Sequence, residues 1–283
     1  MQILWKLFWC SKFPQYFCTA KTSRQMKKTA LITGASSGIG FELAKIFARE
    51  GNDLVLVARN VSKLQELKNS LEKEFSIKAF IIAKDLSKID SAQEVYNEIK
   101  NKSIVIDYLI NNAGFGDFGM FTDTNWKKEE EMIQLNITTL TQFTKLFLKD
   151  MVLQKKGKIM NVASTAAFQP GPTMAVYYAT KAYVLHFSEA IDNEVRDKGI
   201  TVTALCPGAT ESGFQEAADM NESKLVKGRK LPTSKEVAEY GFRAMMKGKR
   251  VAIHGLFNYI MANSIRFTPR ALTVKLVRLI QDK

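Results

Sequence analysis

Tyr177 and Lys181 are the two residues whose types and spacing indicate catalysis most directly. In a helix, a separation of four residues places both side chains on one face, one turn apart. A phenol has a pKa near ~10, so it is a poor acid or base at neutral pH. A fixed ammonium close by favours the phenolate and lowers that pKa, so the pair could exchange a proton with a carbonyl or an alcohol. Tyr178, three residues before Lys181, is the competing phenol.

A glycine-rich turn follows the first predicted strand and leads into the first predicted helix. Its glycines are Gly34, Gly38 and Gly40. Glycines let the backbone approach a pyrophosphate, and a helix N-terminus offers free N–H groups and the positive end of a dipole. The spacing Gly-x-x-x-Gly-x-Gly differs from the general dinucleotide fingerprint Gly-x-Gly-x-x-Gly, so the turn predicts a nucleotide site only together with its surroundings.

Arg59 stands at the end of the second predicted strand, nineteen residues after Gly40. An acidic residue near this point would accept the 2′-hydroxyl of NAD, whereas an arginine suits the 2′-phosphate of NADP. No acid stands at the strand end, so the sequence favours NADP(H) over NAD(H). The alternative is that Arg59 is a surface cation without a ligand.

Apolar segments that predict strands alternate with amphipathic segments that predict helices. The predicted strands are 29–33, 53–58, 78–83, 104–110, 157–162, 201–206 and 250–253. The predicted helices are 39–50, 61–75, 91–100, 126–153, 173–198 and 234–247. This alternation predicts an α/β fold in a single domain, a Rossmann-type doubly wound parallel sheet of about seven strands with helices on both faces.

The two ends of the chain differ from the predicted catalytic domain, residues 26–256. Residues 1–25 are an N-terminal extension that either adds nothing to the fold or, through its aromatic residues and lysines, anchors the protein peripherally to a membrane. Their apolar run is too short to span a bilayer. Residues 257–283 predict an amphipathic, basic helical tail. The tail would close the substrate pocket, pack on a neighbouring subunit or rest on a membrane surface, and packing is favoured because an apolar stripe usually contacts protein.

The composition is that of an ordinary globular protein, with 283 residues of which 46% are hydrophobic and 24% charged. The formal net charge of +13 favours anionic ligands. The lysines are scattered and form no basic stripe with interleaved aromatic residues, so we expect no nucleic-acid partner. Two histidines and three cysteines, none of them paired at metal or redox spacing, predict neither a metal site nor a disulfide framework. The expected location is cytoplasmic, with peripheral membrane contact through the termini as the alternative.

Taken together, the motifs resemble those of the short-chain dehydrogenase/reductase family in its classical form. Ser164 precedes Tyr177 by 13 residues, as in that family, which favours Tyr177 over Tyr178 as the catalytic phenol. The resemblance covers about residues 29–256, and the tail resembles that of the branch grouped with bacterial YqjQ- and DltE-like reductases. The matching segments are Thr33-Gly34-x-x-x-Gly38-x-Gly40, Asp85, Asn111-Asn112-Ala113-Gly114, Asn136, Ser164, Tyr177-x-x-x-Lys181 and Pro207-Gly208.

The resemblance implies a role for each of these residues. Tyr177 is the general acid in reduction and the base in oxidation, and Lys181 lowers its pKa and holds the nicotinamide ribose. Ser164 hydrogen-bonds the substrate oxygen, and Asn136 holds a water that links Lys181 to solvent. The residues expected to bind the cofactor are Gly34, Ser36, Ser37, Gly38, Ile39, Gly40, Arg59, Asp85, Leu86, Asn112, Ala113, Gly114, Tyr177, Lys181, Pro207, Gly208 and Thr210.

The predicted substrate is a hydrophobic ketone or aldehyde, reduced to an alcohol with NADP(H). The long segment 209–232 lacks clear periodicity and is expected to act as a lid. Apolar residues of this segment and of two other loops would form the pocket: Phe115, Phe118, Ala166, Ala167, Phe168, Phe214, Met220 and Leu225. Family members commonly dimerise through the helices that carry Asn136 and Tyr177, so a homo-oligomer is expected.

Two other functions compete with the carbonyl reductase. One is a cofactor-binding sensor or scaffold without turnover, which would have no need of Asn136, Ser164, Tyr177 and Lys181 together. The other is a sugar-nucleotide epimerase of the extended relatives. Such proteins usually have a different glycine spacing and a larger C-terminal domain, whereas about 75 residues follow Pro207 here.

Overall fold

Seven parallel strands form one sheet in the computed structural model, which describes residues 27–214 and 230–281. The strands are β1 (Thr29–Thr33), β2 (Asp53–Ala58), β3 (Ala79–Ala83), β4 (Tyr108–Asn111), β5 (Gly157–Val162), β6 (Ile200–Cys206) and β7 (Val251–Ile253). They lie in the order β3-β2-β1-β4-β5-β6-β7. The chain therefore builds outward from β1 in one direction and outward from β4 in the other, which is the doubly wound arrangement.

Helices cover both faces of the sheet. They are α1 (Gly38–Arg49), α2 (Val61–Phe75), α3 (Ser91–Asn101), α4 (Trp126–Ile133), α5 (Leu140–Gln154), α6 (Ala175–Val195), α7 (Ser234–Met246), α8 (Leu256–Ser264) and α9 (Arg270–Gln281). Successive residues of a strand point to opposite faces. Ala30 and Ile32 therefore pack in one core layer with α1, α2 and α7, and Leu31 packs in the other with α3 and α5. The predicted fold class is confirmed.

The fourth strand is shorter than predicted. Residues 104–107 precede β4, whereas the other six strands begin and end within one residue of the prediction. Ile104 and Ile106 are apolar because they pack into the core layer with α3 and α5, before the ladder begins. The carboxylate of Asp107 accepts a hydrogen bond from the Thr29 N–H at 3.0 Å, so a side chain joins this segment to β1.

The long helical region predicted for 126–153 is interrupted. A π-helical turn, Gln134–Thr139, lies between α4 and α5. π-Helical turns inside longer helices occur frequently at functional sites. This turn carries Asn136, which is 1% exposed.

Two short helices follow β7. A 3₁₀ turn, Ile265–Phe267, separates α8 from α9. Across the described ranges, no helix is long and apolar enough to cross a bilayer. The division at residues 25 and 256 stays a prediction, and residues 1–25 lie outside the described ranges, as do residues 215–229 of the expected lid.

Candidate active site

The loop after β1 is tied to the segment after β4, at the carboxyl edge of the sheet. The Thr33 hydroxyl accepts hydrogen bonds from the N–H groups of Asn112 and Ala113, both at 2.9 Å. The Asn112 amide in turn donates to the carbonyl of Thr33 at 2.9 Å and to that of Gly34 at 3.3 Å. Open α/β sheets bind ligands at this edge, where the strand order reverses. These bonds fix the shape of the glycine-rich turn.

The glycines of the turn occupy positions that other residues would strain. Gly34 and Gly38 have φ angles of +66° and +57°. A Cβ atom on Gly40 would lie 2.4 Å from the Gly34 carbonyl oxygen. Helix α1 begins at Gly38, and the Ser37 side chain does not cap it. The first N–H groups of α1 are therefore available to a pyrophosphate, which is the fit that a dinucleotide requires. Ser36 and Ile39 are half-buried in the same turn.

Arg59 and Asp85 lie at the ends of the neighbouring strands β2 and β3. Arg59 is exposed, and Asp85 is half-buried. Burial raises the pKa of Asp85, but two hydrogen bonds from Ser87 and the charge of Arg59 outweigh it, so the pKa is lower than usual. Leu86 is buried, and its carbonyl accepts a hydrogen bond from the Thr139 hydroxyl at 2.8 Å. This corner of the sheet thus presents a guanidinium whose charge acts on a carboxylate.

Helix α6 places Tyr177 and Lys181 together below the carboxyl edge of β5. Both side chains are buried, at 8% and 6% exposure. The Lys181 ammonium donates a hydrogen bond of 2.8 Å to the carbonyl of Val162 and lies 5.7 Å from the centre of the Tyr177 ring. The predicted shared face is therefore present. Val162 was not predicted as a site residue, since a carbonyl at a strand end leaves no signal in the sequence.

Burial dominates the acid–base properties of this pair. It raises the pKa of Tyr177 to about 12, although a hydrogen bond with the Ser164 hydroxyl lowers it in part. Burial likewise lowers the pKa of Lys181 to about 8, with a small opposing effect from the Cys206 thiol. In this arrangement burial outweighs any lowering of the phenol pKa by Lys181, because desolvation disfavours the charged form of each group.

Ser164 and Asn136 are both held by hydrogen bonds to neighbouring segments. The Ser164 hydroxyl accepts a hydrogen bond from the Ala166 N–H at 3.1 Å and donates to the Pro207 carbonyl at 3.4 Å. The Asn136 amide donates to the Phe115 carbonyl at 3.0 Å and to the Thr180 hydroxyl at 3.1 Å. Asn136 therefore joins the loop after β4 to the residue that precedes Lys181 on α6.

The segments after β4 and β6 approach the site through small residues. A Cβ atom on Gly114 would lie 2.9 Å from the Asn136 side-chain oxygen and 3.4 Å from the Lys181 nitrogen. A Cβ atom on Gly208 would collide with the Asn258 side chain at 2.6 Å. The Thr210 hydroxyl donates to the Gly208 carbonyl at 2.9 Å. The glycines thus let the backbone pass close to the buried polar groups.

An apolar cluster surrounds the Tyr177 ring. The rings of Tyr177 and Phe214 lie 5.3 Å apart. The prediction that Ala167 and Phe168 line the pocket is corrected here. Both residues pack in a different core cluster, which also contains residues of α6 and β6. Met220 and Leu225 lie outside the described residues. The cluster around Tyr177 contains Phe115, Phe118, Met132, Ala166, Met174, Val176, Tyr178, Phe214 and Val277.

Tyr178 has a structural environment of its own. Its ring fills the space beside Gly171, and its hydroxyl accepts a hydrogen bond from the buried Gln281 amide at the end of α9. Burial raises the pKa of Tyr178, as does the proximity of Tyr177. Gln281 stands 103 residues from its partner, so local spacing gave no sign of the contact. The geometry favours Tyr177, beside Ser164, as the reactive phenol.

Comparison with known proteins identifies the family of this chain. The family model described as short chain dehydrogenase matches residues 28–223. Mouse 17-beta-hydroxysteroid dehydrogenase type 3 is 34% identical over 209 residues, which cover 70% of this chain and 67% of the mouse protein. The chain belongs to the short-chain dehydrogenase family and is an oxidoreductase that acts on carbonyl or alcohol groups with a nicotinamide cofactor.

Two solved structures share the fold at similar identity. A short-chain dehydrogenase from Sphingobium yanoikuyae in complex with NADPH has a TM-score of 0.76 and 32% identity, covering 85% of this chain and 94% of its own. A bulky-bulky ketone specific alcohol dehydrogenase from Comamonas testosteroni has a TM-score of 0.73 and 31% identity, covering 85% of this chain and 92% of its own.

Proposed function

We propose that this protein reduces a bulky hydrophobic ketone or aldehyde to the alcohol with NADPH, using Tyr177 as the proton donor. The observation that carries the proposal is the Tyr177 phenol itself. It is buried between the Ser164 hydroxyl and an apolar cluster, on the same helix face as the Lys181 ammonium. A polar proton donor inside an apolar wall suits an apolar substrate with one carbonyl oxygen.

The residues at the carboxyl edge fit NADP(H). The glycine-rich turn and the uncapped start of α1 would receive the pyrophosphate, and Arg59 would pair with the 2′-phosphate. The NADPH bound to the Sphingobium relative supports this choice over NAD(H). When bound, NADPH supplies the hydride that reduces the carbonyl carbon.

The site residues handle the proton and the developing negative charge. With a pKa near 12, Tyr177 carries its proton at neutral pH and can donate it to the carbonyl oxygen. The Ser164 hydroxyl donates a hydrogen bond to that oxygen as charge develops on it. Lys181, with a pKa near 8, is mostly charged at pH 7 and stabilises the phenolate that remains on Tyr177. Asn136 helps to position Lys181, because its amide donates a hydrogen bond to the hydroxyl of the preceding residue, Thr180.

The apolar cluster and the relatives together support a bulky substrate. Phe115, Met174 and Phe214 pack in the cluster with Tyr177 and carry no charge. The mouse relative is named as a hydroxysteroid dehydrogenase and the Comamonas relative as specific for bulky-bulky ketones. A flat or branched apolar ketone is the substrate class that both the cluster and these names favour. A homo-oligomer through α4, α5 and α6 stays a prediction, which sedimentation velocity would test.

The test is NADPH oxidation by the purified protein across ketones and aldehydes of increasing size, with Tyr177→Phe in parallel. We expect turnover to rise with hydrophobic bulk, and the variant to lose roughly 10²–10⁴-fold in kcat. Tyr178→Phe is the matched control, because it removes the adjacent hydroxyl on the same helix and leaves the proton donor in place. NADPH binding is measured for all three proteins by fluorescence.

Equal loss in both variants would contradict the assignment of Tyr177. Tight NADPH binding without turnover on any carbonyl would instead favour a sensor or scaffold of the same fold.

A further inference from the structure

The C-terminal part of the described chain exposes an unusual number of large apolar side chains. We name this set of exposed side chains the tail face. Phe267 is 89% exposed, and Leu256 and Phe257 are 76% and 71% exposed. Large exposed apolar groups that are concentrated in one region mark a surface that contacts a partner. The tail face comprises Leu256, Phe257, Tyr259, Ile260, Met261, Phe267, Leu272, Leu276, Leu279 and Ile280.

Helix α9 has an apolar surface wider than its packing requires. Thr273, Val277 and Gln281 are buried and recur every four residues, so they form the stripe that contacts the protein. A second stripe beside it carries apolar side chains that are 40–68% exposed: Leu272, Leu276, Leu279 and Ile280. Packing against the rest of the protein therefore explains the buried stripe of α9 but not the exposed apolar stripe.

The charged residues of α8, α9 and the turn between them are all cationic. Residues 256–281 contain Arg266, Arg270, Lys275 and Arg278 and no aspartate or glutamate, and the chain continues with Asp282 and Lys283. All four cationic residues are exposed. On α9, Lys275 and Arg278 lie on the solvent side beside the exposed leucines, since each turn contains 3.6 residues. Exposed apolar residues flanked by cations are typical of a helix that lies in the interface of an anionic membrane.

We propose that the tail face docks onto an anionic lipid surface. A second copy meeting the same face would bring the two sets of cations together, because a twofold contact is self-complementary. Residues 1–25 of this chain match the charge of the tail face equally poorly, because they too carry only positive charge. They contain Lys6, Lys12, Lys21 and Arg24 and no acidic residue. An anionic bilayer offers both an apolar interior and negative headgroups, so it complements the tail face in both respects.

The test is flotation of the purified full chain with vesicles of phosphatidylcholine alone and of phosphatidylcholine with phosphatidylglycerol. We expect the protein to float with the anionic vesicles and to bind less as salt rises. The triple variant Arg270→Gln, Lys275→Gln, Arg278→Gln should lower the partition coefficient roughly a hundredfold. A second triple variant, Phe267→Ser, Leu276→Ser, Leu279→Ser, should lower it at least roughly tenfold.

Each variant has a matched control elsewhere on the surface. The charge control replaces Lys63, Lys73 and Lys127 by Gln and changes the net charge by the same amount. The apolar control replaces three exposed side chains by Ser, namely Val61, Ile89 and Leu153. We expect both controls to float like the unmodified protein, and thermal melting verifies that every variant is folded.

Three results would overturn the proposal. The first is equal flotation with both vesicle types, or none with either. The second is a sedimentation velocity profile in which the unmodified protein is a dimer and the apolar triple variant is a monomer, which assigns the face to a second copy. The third uses an environment-sensitive dye attached to Leu276→Cys in a Cys10→Ser, Cys18→Ser background. If the dye reports an apolar environment in the monomer before lipid is added, residues 1–25 occupy the tail face.

Discussion

Lys181 is a buried cation, and its burial opposes folding. Its pKa is lowered from 10.5 to about 8, chiefly by desolvation. Below about pH 8 both the folded and the unfolded chain hold the proton, so the folded state bears the full desolvation penalty. Between about 8 and 10.5 the unfolded chain binds a proton that the folded chain has released. The contribution of Lys181 to the free energy of unfolding therefore rises with pH across that window.

We expect Lys181→Met to be more stable than the unmodified protein at pH 7, by about 2 kcal/mol. This figure allows for the lost hydrogen bond to the Val162 carbonyl. The difference should shrink as the pH rises from 8 to 10, because the unmodified protein gains stability there. Urea unfolding at pH 7, 8, 9 and 10 measures it, with exposed Lys145→Met as the control. A difference that does not change with pH would contradict the assigned pKa.

The same two residues show where reasoning from the sequence ends. Spacing along a helix is local, so the shared face of Tyr177 and Lys181 could be predicted. The direction of the phenol pKa depends on burial, which residues far along the chain provide. Phe214 and Val277 both pack in the cluster around Tyr177. The sequence pattern shows neither how close such residues lie in the folded protein nor how densely they pack.

At the scale of the elements, the glycine-rich turn is a tightly packed part of the site. A Cβ atom on Gly40 would lie 2.4 Å from both the Gly34 carbonyl oxygen and the Asn112 amide nitrogen. Gly40→Ala should lower the free energy of unfolding by about 1–3 kcal/mol and weaken NADPH binding, because backbone must move. Gly213→Ala is the control, since a Cβ atom there meets nothing within 4 Å. Equal urea midpoints for the two variants would refute the tight packing.

Within the part of the chain that the structure describes, a buried polar contact joins helix α9 to the site. The Gln281 amide donates to the Tyr178 hydroxyl, and both residues are buried. Gln281→Leu should cost about 1–3 kcal/mol of stability, because the phenol then loses a partner inside the protein. Tyr178→Phe in the same chain should recover part of that loss. Urea unfolding of the two single variants and the double variant gives the coupling energy, and strict additivity would exclude the contact.

The elements also differ in how well the sequence predicted them. Strands β1 and β2 match the prediction because continuous apolar runs bounded by turn residues mark buried parallel strands. The π-helical turn around Asn136 was missed because its residues continue the helical pattern on both sides. The start of β4 was misplaced because apolar residues fill the same core layer before and after the strand begins.

For the whole molecule, the strand order decides where the cofactor site lies. Alternating strands and helices predicted a parallel sheet, but that alternation is compatible with several orders. The observed reversal between β1 and β4 brings the glycine-rich turn next to Asn112 and places Arg59 one strand further out. A ligand that spans this edge contacts loops from several strands. Its binding should therefore stabilise the entire fold rather than one loop.

We expect cofactor binding to raise Tm by an amount that depends on the cofactor's 2′-phosphate. At about a hundred times its dissociation constant, a ligand adds about 2.7 kcal/mol to the folded state, so NADPH should raise Tm by about 5–10 °C. NADH at the same concentration should raise it less, because it lacks the phosphate that pairs with Arg59. Arg59→Ala should bring the two shifts together, whereas Lys73→Ala, another exposed cation, should leave them apart. Differential scanning fluorimetry of the three proteins measures the shifts. Equal shifts with both cofactors in the unmodified protein would remove the basis for assigning NADP(H) to Arg59.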